Sequence, residues 1–215
     1  MRISLVARLP GKSGENGGVK KNKEFVFSRR AAEVPPDLDF VSEVGEDSAL
    51  RLESVALRRV RLAERSFHSI TLRDVRLVGC DLANVSTRAL SLIRVEFVDC
   101  RMTGFTGGDV EARDVLFSEC DGRYAQFRFS KMNKGVEFDS CQLEDADFGG
   151  TDLTGSVFRG CNLRNVEMGK ARLMDADLRG SRVEGLHIGA EGLRGATVDA
   201  AQAMQFALLL GIRIL

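Results

Sequence analysis

Residues 141–185 read CQLED ADFGG TDLTG SVFRG CNLRN VEMGK ARLMD ADLRG SRVEG. Every fifth residue is large and apolar: Leu143, Phe148, Leu153, Phe158, Leu163, Met168, Leu173, Leu178 and Val183. The residue two before each is small or aliphatic. An α-helix needs apolar residues at a spacing of about 3.6 and a strand at about 2.0. A period of five satisfies neither as a continuous element. It suits a short extended segment closed by a corner, with residues i and i−2 facing inward. Four such segments make one turn of a square coil, a β-solenoid whose neighbouring strands stack about 4.8 Å apart.

A longer period supports this reading. The five cysteines, Cys80, Cys100, Cys120, Cys141 and Cys161, are spaced by 20, 20, 21 and 20 residues. Twenty residues are four pentapeptides, so the cysteines recur once per turn. Stepping by five from Leu52 to Met132 and from Phe138 to Val198 visits 30 central positions, of which 26 hold large apolar residues; the exceptions are Thr87, Gly107, Ala112 and Gly122. Met132 and Phe138 are six apart, so one residue is inserted near Asn133, Lys134 and Gly135. That insertion also explains the single cysteine spacing of 21. Phe105 at i−2 offsets the missing volume of Gly107. Glycines at segment ends (Gly79, Gly104, Gly150, Gly155, Gly160, Gly180, Gly185 and Gly195) are expected at corners with positive φ.

Ala146-Asp147-Phe148, Thr151-Asp152-Leu153, Cys161-Asn162-Leu163 and Ala176-Asp177-Leu178 match the consensus A(D/N)LXX. In these stretches the chain resembles the pentapeptide-repeat family over about 49–215. The resemblance implies an all-β fold, a right-handed quadrilateral β-helix of about 30 repeats, here with a C-terminal helix. It says little about function. The best-known branch confers quinolone resistance, resembles a rod of duplex DNA and binds type II topoisomerases.

Three regions are expected: an N-terminal cap or arm at 1–48, the β-helix at 49–198, and a capping and dimerisation segment at 199–215. Ile3, Leu5, Ala7 and Leu9 alternate, as do Phe25 and Phe27, so two short strands are expected in the first region. Between them, Lys20, Lys21 and Lys23 lie in a polar, glycine-rich stretch. Lys+Arg and Asp+Glu are both 31, so bulk charge points to no partner. No apolar run is long enough for a membrane span. The cysteines fall at the inward i−2 position of one face. Stacked Cβ vectors run parallel, which suits a disulfide poorly, so free buried thiols in a reducing cytoplasm are expected.

No catalytic, cofactor-binding or metal-ligating set emerges, and no direct nucleic-acid contact is expected. His68 and His187 lie on one face but six turns apart, roughly 29 Å at strand spacing. Arg65 and Glu191 occupy inward positions near the two coil mouths. Several outward columns alternate in sign: Arg61, Asp81, Arg101, Asp121; Glu111, Lys131, Asp152, Arg172; and Asp74, Arg94, Asp114, Lys134. Such stacking cancels the long-range field that a DNA mimic needs. One exception is expected on the second face, where Glu96, Asp99, Glu119, Glu137 and Asp139 point outward without an opposing base, beside Val78, Val98 and Leu116. That patch is the candidate docking site for a protein partner, DNA gyrase among the possibilities.

After Val198 the period stops. Asp199 is a suitable N-cap, the following residues favour helix, and Gly211 is a natural stop. Ala200, Ala203, Met204, Ala207 and Leu208 form one stripe, expected to close the last turn. Phe206, Leu209, Leu210, Ile212, Ile214 and Leu215 are left over. The stretch resembles the C-terminal dimerisation module of the quinolone-resistance branch, which implies that they pair two copies of the chain.

Overall fold

In the computed structural model, residues 2–6, 32, 33, 47–209 and 211–213 are described. The chain winds as a stack of parallel turns closed by one helix. The strands are β1 (Arg2–Val6), β2 (Ala32–Glu33), β3 (Ser48–Glu53), β4 (Val55–Arg58), β5 (Ser66–Val78), β6 (Ser86–Val98), β7 (Thr106–Gly107), β8 (Val110–Ser118), β9 (Lys131–Asp139) and β10 (Val157–Arg159). The helix is α1 (Ala200–Leu209). The main sheet path is β1-β3-β5-β6-β8-β9-β10, and isolated parallel bridges such as Asn162↔Arg182 and Asp177↔Thr197 continue the stack beyond it. From β3 onward each pairing joins residues one turn apart, as in Leu77↔Phe97 and Phe97↔Phe117. Between β8 and β9 the register moves from Glu111↔Lys131 to Arg113↔Lys134, which puts the extra residue where the interrupted period places it.

The inward residues make one continuous core. Central positions from Leu52 to Val183 are buried wherever they are large, while Ile188, Leu193 and Val198 are partly covered at the far end. Down the second face Phe97, Phe117, Phe138 and Phe158 stack with ring centroids 4.8 Å apart at each step, a spacing imposed by the backbone ladder. Phe105 is buried beside Gly107, where an added Cβ would lie 3.4 Å from the Phe105 ring and 2.8 Å from Val110. All eight corner glycines named above have positive φ, and so do eighteen non-glycine residues among those described, most of them Asp, Asn, Ser or Glu.

The corners are of two kinds, and the inward i−2 residue largely separates them. In a tight corner the central carbonyl accepts the N–H three residues on, as in Ala146 N to Leu143 O, 3.0 Å, and Ala176 N to Leu173 O, 3.0 Å. In the lower turns β5 and β6 run straight through the fourth and first corners, where the inward residues are Ile70, Val75, Leu90 and Val95. Bulky side chains, three of the four β-branched, favour the extended backbone there. The third corner is tight even at Val85 and Phe105, so size is not the only determinant.

The second corner is open from Cys80 to Cys161, and there the central carbonyl finds a donor in the turn above. Cys100 Sγ donates to Leu77 O at 3.5 Å, Cys120 Sγ to Phe97 O at 3.5 Å, Cys141 Sγ to Phe117 O at 3.3 Å and Cys161 Sγ to Phe138 O at 3.3 Å. Ser181 ends the column. Its hydroxyl donates to Phe158 O at 3.0 Å and accepts from Cys161 N at 3.0 Å. Thr151 plays the same part at the fourth corner, donating to Phe127 O and accepting from Ser130 N. Small polar residues therefore seal places where the corner geometry changes, which is what buried backbone groups require. All five cysteines are free and buried.

At the N-terminal end β1 pairs in parallel with β3 (Leu5↔Leu52) and β2 with β4 (Ala32↔Val55). The backbone of 2–6 and 32–33 thus extends the stack beneath the first full turn. The strand expected around Phe25 and Phe27 lies outside the described residues. At the other end the coil is broken early. Residues 190–195 form a continuous turn, with Leu193 N donating to Gly189 O at 3.3 Å. Glu191 is therefore not inward: it is exposed and pairs with Arg194 at 3.3 Å.

Candidate interaction surfaces

The second face carries the acidic candidate patch, and the structure divides it. Val78, Val98 and Leu116 are half-buried on the outer side of the sheet, as is Glu137. Asp99 and Glu119 are exposed at successive corners, with φ of 51° and 54°. Glu96 does not belong with them. Its side chain is 9% exposed and its carboxylate lies 3.1 Å from Arg76 Nε. Burial pushes the Glu96 carboxyl up and Arg76 draws it back. An opposing base is thus present, one turn below in the same column (Arg76↔Glu96). Asp139 also has a base beside it, since Arg159 is its partner in the next turn. Both relations were legible in the sequence at a separation of one turn. Asp99, Glu119 and Glu137 have no ion-pair partner among the described residues. The remaining acidic surface is smaller than the one expected.

Elsewhere the outward columns neutralise themselves. Arg94 grips Asp74 through two bonds of 2.5 and 2.7 Å, Lys131 meets Glu111 at 3.0 Å, and Arg101 meets Asp81 at 3.4 Å. Within single turns, Arg123 pairs with Asp121 and Arg179 with Asp177, each at 2.7 Å. The arginine contacts hold the Asp121 and Asp177 carboxyls below their ordinary range.

The C-terminal helix begins and ends as expected but turns a different side inward. Gln202 N donates to Asp199 Oδ1 at 3.0 Å, and Asp199 N donates to Gln202 Oε1 at 2.9 Å, a reciprocal capping box. At the far end Gly211, with φ of 74°, donates to Leu208 O at 3.0 Å, and Ile212 N donates to Ala207 O at 2.9 Å. The buried residues are Gln202 and Phe206, not the Ala/Met/Leu stripe. Gln202 Nε2 donates to Leu178 O at 2.6 Å and Ser181 O at 2.8 Å. The end of a solenoid offers carbonyls, so a buried amide donor fits it better than an alanine. Phe206 is 5% exposed and belongs to its own chain's core, which removes it from the expected dimer interface. Leu209 and Ile212 remain exposed at 45% and 54%, and Met204 and Leu208 join them at 54% and 62%. Leu210, Ile214 and Leu215 lie outside the described residues. Sequence reading missed Gln202; its place three residues after Asp199 was the available signal.

Among the described residues no group of three or more His, Cys, Asp and Glu is placed to hold a metal. His187 Nδ1 lies 3.3 Å from Glu167 Oε2 at the surface. No described helix is long and apolar enough to cross a membrane.

Comparison with known proteins bears on the fold. No curated protein matches the sequence. Among solved structures, trypsin-treated QnrB1, a plasmid-mediated fluoroquinolone resistance protein, is 14% identical with a TM-score of 0.46, covering 85% of this chain and 95% of that one. HetL, a pentapeptide repeat protein involved in heterocyst differentiation regulation from the cyanobacterium Nostoc sp. strain PCC 7120, is 13% identical with a TM-score of 0.22, covering 72% of this chain and 88% of that one. The family model described as pentapeptide repeats (8 copies) matches residues 141–180, and the model described as pentapeptide repeat region matches residues 70–148. Together they run without a gap through more than half of the chain, which belongs to the pentapeptide-repeat family.

Proposed function

We propose that this protein is a non-catalytic interaction scaffold of the reducing cytoplasm. It offers the outer side of its second face to a basic surface on another protein. The observation that carries this reading is the conjunction of half-buried Val78, Val98 and Leu116 with Asp99, Glu119 and Glu137, carboxylates without ion-pair partners among the described residues. A rigid stacked sheet presents these groups at fixed spacing, which keeps the entropy cost of docking low. The exposed apolar residues Met204, Leu208 and Leu209 of α1, with Ile212 just beyond it, support a two-fold homodimer joined through the C-terminal ends.

The rival reading is a DNA-mimicking binder of DNA gyrase that modulates the enzyme or shields it from quinolone drugs. It calls for a continuous acidic surface, and the paired columns at Asp74–Arg94, Asp81–Arg101 and Glu111–Lys131 weigh against that. A gyrase supercoiling assay with a fluoroquinolone, with and without the protein, decides between them. The scaffold reading expects no change in supercoiling or drug inhibition. A change that Glu119→Lys with Glu137→Lys abolishes would establish the rival and place it on this face. The dimer is tested by sedimentation: the full chain should be dimeric, and Leu209→Glu with Ile212→Glu monomeric. A full chain that is monomeric at micromolar concentration removes the dimer.

A further inference from the structure

At the corner between the fourth and first faces, the outward residues of four successive turns are Ser69, Ala89, Asp109 and Phe129. The first two sit in extended strands β5 and β6 and are small. Phe129 stands out above them, 71% exposed. Below its ring lies an open groove of about 360 Å³, with Ser69, Leu90, Val110, Asp109 and Glu111 in its walls.

A phenylalanine is an unfavourable choice for this corner. Its φ is 53°, a left-handed conformation that costs a non-glycine residue about 1 kcal/mol. The other non-glycine corners of positive φ carry Asp, Asn, Ser, Glu, Arg or Lys, apart from Tyr124 on the preceding corner of the same turn. Yet the exposed ring is held in place. The Arg128 guanidinium lies 5.4 Å from its centroid and is itself 3.4 Å from Asp147. The next turn has Gly150 alongside, where a Cβ would come within 2.5 Å of the ring. A strained, exposed and pre-positioned aromatic has the character of a binding anchor.

The groove also carries charge. Glu111 shares Lys131, whereas Asp109 has no ion-pair partner among the described residues. Asp109, Glu111 and Lys131 together leave one negative charge. Its volume is at the small end of ligand sites, which span roughly 300–1,000 Å³. We propose that this groove docks an extended segment of a protein partner, with an Arg or Lys side chain laid along Phe129 and its cationic head at Asp109 and Glu111. The long methylene stem of such a residue suits the Phe129 ring and its head suits the carboxylates. This surface is separate from the second face, and its test is independent of the one above.

The probe is a phage-displayed library of random short peptides selected on the full chain, followed by fluorescence anisotropy with the enriched peptide. Enriched sequences should place Arg or Lys beside an apolar residue. Phe129→Ala and Asp109→Lys should each weaken binding at least about tenfold, while Glu119→Lys with Glu137→Lys leaves it unchanged. Phe129→Asn, which suits a left-handed corner, should leave the melting temperature the same or higher. Failure to enrich, acidic or uncharged consensus peptides, or equal binding by Asp109→Lys would overturn the proposal. So would a loss of stability in Phe129→Asn, because the ring would then serve the fold.

Discussion

The lower and upper halves of the solenoid reach the same core by different backbone routes. In β5 and β6 the inward i−2 residues are mostly Val, Ile and Leu, and thirteen-residue strands run around two corners without a break. From Cys141 onward they are mostly Ala, Ser, Thr and Cys, the strands shrink to β10 and single bridges, and most corners close with a turn bond. The period of central residues is the same in both. The side chain two positions away thus bears on how the corner is made, although Val85 and Phe105 are bulky at tight corners and the cysteines small at open ones. At the open second corner the central carbonyl is left to be paired, and the thiol of the turn above pairs it.

That comparison can be broken most severely at Phe138, near the junction. Its ring is 1% exposed between Phe117 and Phe158. Phe138→Asp should lose at least about 4 kcal/mol and leave little folded protein. Asp139→Lys, one residue on, should change stability by less than about 0.5 kcal/mol. Chemical denaturation compares the two, and equal losses would refute the register in both halves.

A smaller effect is expected where tight turns sit on open ones. Ser181→Val removes the hydroxyl bonded to Phe158 O and Cys161 N and should cost about 1–3 kcal/mol. Ala176→Val, inside a run of tight turns, tests crowding alone. If the two cost the same, the seal contributes nothing beyond volume.

The cysteine column gives a finer test. Cys120→Ser keeps a donor for Phe97 O and should stay within about 1 kcal/mol of the parent, whereas Cys120→Ala should cost more through the lost donor and the cavity. All five thiols are buried. A thiol reagent should therefore label the native chain slowly and the denatured chain at all five positions.

The smallest effect is electrostatic. Asp121 and Asp177 are held low by Arg123 and Arg179, and Asp199 by the backbone N–H of Gln202. A carboxyl with a depressed folded pKa stabilises the fold above its unfolded value, near 4. That contribution is lost as pH falls through the lower folded value. The melting temperature should decline in acid, and Asp177→Asn should flatten the decline slightly.

Much of this was legible without coordinates. Burial at every fifth position demanded the coil. The slip at 132–138 had to appear as a bulge because one added residue would otherwise turn every later side chain outward. Asp199 and Gly211 bounded the helix because caps are local chemistry. Corner type was partly legible too, in the change from Val to Ala and Ser at i−2.

What only the tertiary structure decided involves groups brought together by the stack. Amphipathicity favoured an apolar stripe on α1, but the last turn presents Leu178 O and Ser181 O, so Gln202 turns inward and Met204 and Leu208 turn out. Outward placement of Glu96 was correct, but burial beneath its neighbours and the reach of Arg76 took it out of the acidic surface. Phe129 gave no periodic signal, since corners lie outside the apolar repeat, and only backbone conformation and exposure mark it. A five-residue period specifies which side chains enter the core. Which polar groups meet at the ends and corners depends on contacts between turns, where hydrogen bonding and desolvation, not periodicity, set the outcome.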